Sequence, residues 1–96
     1  MSRRHYLVTY DIADDKRRGQ VFELLEGNGD HVQYSVFYCE LNDHERVTLE
    51  GGLSDTINHD EDQVLILDLG NDRMPLESAL RTLGKSYAPP CRVQVV

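Results

Sequence analysis

The chain has 96 residues, 40% of them hydrophobic and 28% charged, which excludes a disordered protein and leaves room for one folded domain with a single core. Its net charge of −7 argues against a general affinity for nucleic acid, because binding to phosphates gains from Lys and Arg. Cys39 and Cys91 form no paired motif and no long apolar run occurs, so we expect a soluble cytoplasmic protein with no membrane segment, zinc site or disulfide.

The first predicted elements are a strand and a helix. Residues 6–12 are rich in Tyr, Val, Leu and Thr, which favours a strand. Short acidic side chains follow and can cap a helix, and the apolar residues of 15–26 recur at three- and four-residue intervals. The sequence therefore predicts a helix over 15–26 that ends in a left-handed turn at residues 27–29, where two glycines lie.

The middle of the chain predicts further strands and a second helix. Residues 31–41 alternate between two faces with period two, which indicates one long strand or two short ones. Asn42 and Glu45 then form a capping box, and Leu49 and Leu53 begin a four-residue apolar repeat. A helix that starts after Asn42 is the expected result.

The last part of the chain is less regular. The nearly unbroken apolar run at 63–69 predicts a central strand, whereas residues 75–84 fit either a helix or a short strand. Residues 91–96 predict a terminal strand with no helix after it, and an open edge of this kind invites a partner. Together the elements predict an α/β (α+β) fold: one ferredoxin-like βαββαβ sandwich over residues 1–96, with helices on one face of a single sheet.

Asp11 is the candidate for chemistry, because it lies where the first strand passes to the first helix. Its carboxylate suits a hard cation such as Mg²⁺, although a cap or turn role explains an aspartate here more simply. Asp14 and Asp15 are predicted to cap the helix. Arg17 and Arg18 lie in the first turns, where cations oppose the helix dipole, so their position points to an anionic ligand. Half of the ten Lys and Arg residues lie in the first 18 positions, which would steer an anion to the same end.

Other classes of site are not indicated. The four histidines lack the spacing of a helical metal pair, and Cys39 lies in an alternating strand with no nucleophile context. The chain also has no Ser-centred elbow and no phosphate-binding glycine loop. Hydrolytic triads and nucleotide-fold enzymes are therefore excluded.

A set of short motifs resembles a known family. In chain order they are Tyr10-Asp11-Ile12, Arg17-Arg18, Gly29, the run Val32-Gln33-Tyr34-Ser35-Val36-Phe37, Leu41, and Glu61-Asp62 before a strand. Together and in this order they resemble the CRISPR-associated protein 2 family over most of the chain. His31 departs from the pattern, because the family often has Arg or Lys there.

The resemblance implies a ferredoxin-like homodimer in which residues 89–96 form an additional strand that completes the partner's sheet. It further implies that Asp11 of both subunits shares one Mg²⁺ or Mn²⁺, which activates water against a phosphodiester. The same resemblance implies that five residues bind nucleic acid or shape the site: Tyr10, Arg17, Arg18, Ser35 and Phe37.

Two functions follow from the resemblance. The first is a non-catalytic adaptor in spacer acquisition, which bridges two copies of the CRISPR-associated protein 1 integrase and holds foreign DNA. The charge balance favours this adaptor, because an acidic chain suits protein partners better than nucleic acid. The alternative is a metal-dependent endonuclease that uses Asp11 to cleave single-stranded RNA or double-stranded DNA.

Overall fold

The structure, a computed structural model, describes residues 3–71 and 80–85. The elements are β1 (Arg4–Asp11), α1 (Asp15–Glu26), β2 (Gly29–Gln33), β3 (Val36–Leu41), α2 (Asp43–Thr56) and β4 (Gln63–Gly70). This is the predicted βαββαβ order. The strands form one antiparallel sheet in the order β2-β3-β1-β4, which is the ferredoxin-like arrangement.

The strand β4 differs from its prediction. Its apolar run indicated a central strand, but in the described part of the chain β4 pairs with β1 alone and forms an edge of the sheet. Val64 and Ile66 pack against the core, whereas the leucines between and after them face the other way and stay about half exposed. The run is apolar because both faces of β4 carry apolar side chains. It does not reflect a central position of β4 in the sheet.

Local chemistry sets the bounds of α1. The Asp14 carboxylate accepts a hydrogen bond from the Arg17 backbone N at 2.9 Å, as expected for a cap. The predicted left-handed exit is wrong, because Gly27 has a right-handed φ of −73°. The Asn28 side-chain amide instead donates to the Leu24 carbonyl at 2.7 Å and so satisfies the helix end. Glycine is needed at Gly29 for space, since a Cβ there would lie 2.5 Å from atoms of β3.

The second helix begins as predicted. The Asn42 side chain accepts from the Glu45 backbone N at 2.8 Å, and the Glu45 carboxylate accepts from the Asn42 backbone N at 2.9 Å. This confirms the capping box. Leu49 and Leu53 are buried and anchor α2 on the sheet.

Residues 31–41 form two short strands, which settles the alternative left open by the alternation. The strands β2 and β3 are joined by a turn at Tyr34 and Ser35. Tyr34 has a φ of 24°, in the region that favours glycine. Because the turn contains neither Gly nor Asn, the pattern alone did not place the break.

The core lies between the two helices and one face of the sheet. Its buried residues are Tyr6, Val8, Tyr10, Ile12, Val21, Leu25, Phe37, Cys39, Leu41, Leu49 and Leu53. Burial raises the pKa of the Cys39 thiol to about 11, which fits the prediction that this cysteine has no nucleophilic role.

The C-terminal predictions are tested only in part. Residues 80–83 are in neither a helix nor a strand, and the rest of the ambiguous segment from 75 to 79 lies outside the described residues. The predicted strand at 89–96 also lies outside them. Within the described ranges, no helix has the length and apolar character needed to cross a membrane.

Candidate active site

Asp11 is the last residue of β1, and its side chain is exposed. Alternation along β1 buries Tyr6, Val8 and Tyr10 under the helices, so it directs Asp11 to the opposite face of the sheet, which the described helices leave open. Within residues 3–71 and 80–85, no group donates a hydrogen bond to the Asp11 carboxylate. Its oxygens are therefore available to a ligand.

A groove of about 650 Å³ opens beside Asp11. Its walls come from the end of β1, the first turns of α1 and the turn between β2 and β3. Aromatic residues form part of this wall: the Phe22 and His31 rings pack edge to face at a centroid distance of 5.1 Å. Phe37 lies behind this wall in the core, with its ring centroid 4.8 Å from that of His31. Asp11, Asp15 and Arg18 are also among its lining residues, so the groove combines apolar surface with residues that carry charge.

The turn between β2 and β3 is held in a strained conformation at the rim of this groove. The Tyr34 carbonyl accepts a hydrogen bond from His31 Nε2 at 2.7 Å and a longer one from the Tyr10 hydroxyl at 3.5 Å. Because a carbonyl only accepts, His31 Nε2 carries the hydrogen. The Tyr10 backbone N also donates to the Ser35 carbonyl at 3.1 Å, which ties the turn to β1 next to Asp11. A non-glycine residue at positive φ costs on the order of 1–3 kcal/mol, and these bonds offset that cost.

A second carboxylate near the site has the opposite environment. The Asp62 side chain is fully enclosed and accepts from the backbone N of Ala13 at 2.9 Å and of Asn58 at 2.8 Å. It also accepts from Arg17 Nε at 2.8 Å. The Arg17 guanidinium, followed by the backbone donors, holds the pKa of Asp62 far below its usual range. We call these four residues the Asp62 clamp, since they join the β1–α1 loop to the α2–β4 loop.

The two neighbouring arginines of α1 therefore differ in their ion pairs and in their exposure. Arg17 is held in the clamp and also contacts Glu61 at 3.1 Å. Arg18 is about half exposed, donates to the Ile12 carbonyl at 2.9 Å and pairs with the almost fully exposed Asp15. A surface pair of this kind is worth only about 0–1 kcal/mol, so Arg18 can exchange Asp15 for another anion. Both arginines were expected to face an anion, and in the structure both pair with carboxylates of their own chain.

The predicted site residues fall into three places. Tyr10, Asp11, Arg18 and Ser35 line the groove together. Arg17 lies in the Asp62 clamp, and Phe37 is fully buried in the core behind His31. The roles assigned to them by resemblance stay predictions.

Sequence reasoning missed several residues of the site. Phe22 was part of an apolar helix repeat and Tyr34 part of a family motif, but neither was assigned to the site, and His31 was noted as a departure from a basic residue. Asp62 was recognised as part of an acidic boundary, but its burial depends on two distant loops that meet. None of these roles has a local pattern that distinguishes it.

A single described chain supplies only some of the ligands that a hard divalent cation at Asp11 would need. In the described part of the sequence, no group of three or more His, Cys, Asp or Glu side chains could hold a metal ion. Mg²⁺ commonly takes one or two carboxylates and keeps several waters. One Asp11 carboxylate is thus a partial site, which needs further ligands from water or from a second copy of the chain.

Comparisons with known proteins agree with this fold. A sequence model of the family described as CRISPR associated protein Cas2 matches residues 4–74. The chain is 43% identical to the CRISPR-associated endoribonuclease Cas2 1 of Rhodospirillum rubrum over 85% of this chain and 79% of that protein. It is 36% identical to the CRISPR-associated endoribonuclease Cas2 of Geobacter sulfurreducens over 95% of both. The crystal structure of Streptococcus pyogenes Cas2 at pH 6.5 matches 83% of this chain and 99% of that one, with a TM-score of 0.72 and 30% identity.

The sheet order and the helices on one face define a ferredoxin-like α+β protein with an exposed carboxylate at the end of its first strand. The family match covers most of the chain and therefore identifies the family as well as the fold. The chain belongs to the CRISPR-associated protein Cas2 family, which confirms the resemblance inferred from its motifs.

Proposed function

We propose that this protein is a homodimeric, metal-dependent endonuclease of the CRISPR system, in which Asp11 of two subunits holds one Mg²⁺ or Mn²⁺ beside a phosphodiester. The observation that carries this proposal is the exposed Asp11 carboxylate, which accepts no hydrogen bond from the described chain. Relatives that align over most of this chain are named endoribonucleases, which also supports cleavage. We therefore rank the endonuclease ahead of the adaptor that the charge balance favoured.

The open face of the sheet supports the homodimer. Leu65, Leu67 and Leu69 of β4 are 49%, 46% and 50% exposed, although their apolar side chains gain from burial. Asp11 is directed to the same face by the alternation of β1. A second copy packed across this face would cover the leucines and place two Asp11 carboxylates at one interface.

The residues around Asp11 have separate tasks in this proposal. When bound, the cation activates water and neutralises charge on the phosphate. Asp11 holds it, while the guanidinium of Arg18 donates to phosphate oxygens after leaving Asp15. The Asp62 clamp keeps the loop that follows Asp11 in place through the Ala13 backbone N.

The second candidate is the adaptor in spacer acquisition, with the CRISPR-associated protein 1 integrase and foreign DNA as partners. It is favoured by the pairing of both α1 arginines with carboxylates of the same chain, which leaves little free positive charge at the site. The net charge of −7 acts in the same direction. Protein partners can use such an acidic surface.

The two functions are separated by the variant Asp11→Ala, assayed for cleavage and for spacer integration in cells. Loss of residues that merely support a metal ligand costs about 10- to 100-fold, so loss of the ligand itself should lower Mg²⁺-dependent cleavage of labelled RNA and DNA by more than about 100-fold. Asp55→Ala is the matched control, because Asp55 is an exposed aspartate on α2. It should cleave at the wild-type rate.

The outcomes distinguish the candidates. If the wild type cuts neither RNA nor DNA with any divalent metal over a wide pH range, the endonuclease is wrong. If cleavage is lost in Asp11→Ala while integration persists, the adaptor is the role that matters in the cell.

A further inference from the structure

We propose that the groove beside Asp11 is a nucleobase subsite, in which the ring of Tyr34 stacks on one unpaired base of a nucleic acid strand. This inference rests on the proposed function, because it concerns the strand that is presented to Asp11. It adds a ligand class and a recognition residue that the cleavage chemistry alone does not define.

Tyr34 has the properties of a stacking platform. The residue is 90% exposed, which is unusual for a large aromatic residue, and its backbone is at positive φ. The hydrogen bonds from His31 and Tyr10 to its carbonyl hold the backbone that presents the ring. Because the backbone is already held, binding a planar ligand orders only the side-chain torsions of the ring.

The groove behind Tyr34 has the chemistry that a base requires. Phe22 and His31 supply aromatic surface, and such surfaces bind bases of any sequence because every base has a π-face. The half-exposed Arg18 at the same groove offers a positive charge to the phosphate that accompanies the base. Asp15 lines the groove as well, and its exposed carboxylate can accept from a base amino group.

The subsite also distinguishes unpaired strands from duplexes. A base inside a duplex is stacked on its neighbours and must be unpaired before it can enter a groove, which costs a few kcal/mol. A single strand does not bear this cost. We therefore expect Tyr34 to contribute to binding of single strands and to contribute little to binding of duplexes.

The test compares two substitutions of the same residue. Tyr34→Phe keeps the ring, whereas Tyr34→Asn removes it but adopts positive φ readily, so that both variants keep the turn. Fluorescence anisotropy measures binding of labelled single-stranded RNA, single-stranded DNA and a duplex of equal length. The titrations use one salt concentration and contain EDTA, so that metal-dependent cleavage does not consume the probe. Val47→Ala, which removes an exposed apolar side chain on α2, is the control.

Stacking on one aromatic ring is worth about 1–3 kcal/mol per base, so Tyr34→Asn should weaken single-strand binding by about 5- to 150-fold. Tyr34→Phe and Val47→Ala should bind within about twofold of the wild type, because the ring and the groove are intact in both. The duplex affinity should be unchanged in all variants. A preference between the RNA and DNA probes would identify which strand the subsite takes.

Three results would overturn the subsite: a wild type that does not bind single strands, a Tyr34→Asn variant that binds them normally, or an equal loss for single strands and duplexes. Cleavage by the wild type and by Asp11→Ala is measured alongside. Asp11-dependent cleavage with binding that ignores Tyr34 contradicts the subsite alone. Tyr34-dependent binding without any cleavage contradicts the endonuclease alone.

Discussion

Asp62 and Asp11 lie close to the same loop but in opposite environments. Asp62 is enclosed and accepts hydrogen bonds from Ala13, Asn58 and Arg17, whereas Asp11 is exposed and accepts none from the described chain. Under the proposed function, this difference gives two identical side chains different uses. A carboxylate with a complete set of donors stabilises the fold, and a carboxylate without donors keeps its oxygens for a ligand.

The arginines repeat this contrast. Arg17 is held by the enclosed Asp62, while Arg18 shares an exposed ion pair with Asp15. The clamp and the groove are nevertheless connected, because Ala13 is only two residues beyond Asp11. We infer that the clamp restrains the loop so that Asp11 and Arg18 stay at the groove.

The largest effect on stability is expected from breaking the clamp with Asp62→Asn. The substitution removes the charge that faces Arg17, and we expect the thermal midpoint at pH 7 to fall by several degrees. The pKa of Asp62 is lower in the folded than in the unfolded protein, so the ionised carboxylate stabilises the fold above the unfolded pKa of about 3.9. This stabilisation is lost as the pH falls through the lower, folded pKa.

Thermal unfolding followed by circular dichroism checks both parts of this prediction. The gap in midpoint between the wild type and Asp62→Asn should be constant from about pH 7 to about pH 5 and should narrow below about pH 4. Asp55→Asn, an exposed control, should show no gap. A gap that is absent at pH 7, or that stays unchanged in acid, would contradict the role given to Asp62.

The variants Arg17→Gln and Arg18→Gln are expected to have smaller effects, and the two should affect different properties of the protein. Arg18→Gln should change the unfolding free energy by no more than about 0.5 kcal/mol, because its ion pair is exposed. It should weaken single-strand binding a few-fold and reduce the salt dependence of the binding constant by about one phosphate contact. Arg17→Gln should lower the thermal midpoint and leave the salt dependence as it is. If Arg17→Gln reduced the salt dependence and Arg18→Gln did not, Arg17 would be the residue that contacts phosphate.

The elements that were predictable from the sequence are those whose causes are local. The cap at Asp14 and the capping box at Asn42 and Glu45 use atoms within three residues, so the helix starts were found. The turn at Tyr34 was not placed, because a tyrosine at positive φ depends on donors from β1 and β2. The edge position of β4 was missed for a related reason, since an apolar run does not report which strands pair with it.

The residues of the candidate site also divide into those with local causes and those that depend on distant contacts. The position of Asp11 was predictable, because a strand end next to a helix start is visible in the pattern. The structural role of Asp62 was not, because its bond to Ala13 spans 49 residues. Arg17 and Arg18 were treated alike for this reason, and only the packing of the α2–β4 loop separates them.

The most direct test of a shared metal site is the stoichiometry of Mn²⁺ binding, measured by electron paramagnetic resonance on the wild type and on Asp11→Asn. Asp55→Asn again serves as the control. We predict one tightly bound ion per two chains in the wild type and in the control, and none in Asp11→Asn. One ion per single chain, or binding that persists in Asp11→Asn, would contradict the assignment of Asp11 as half of a two-subunit site.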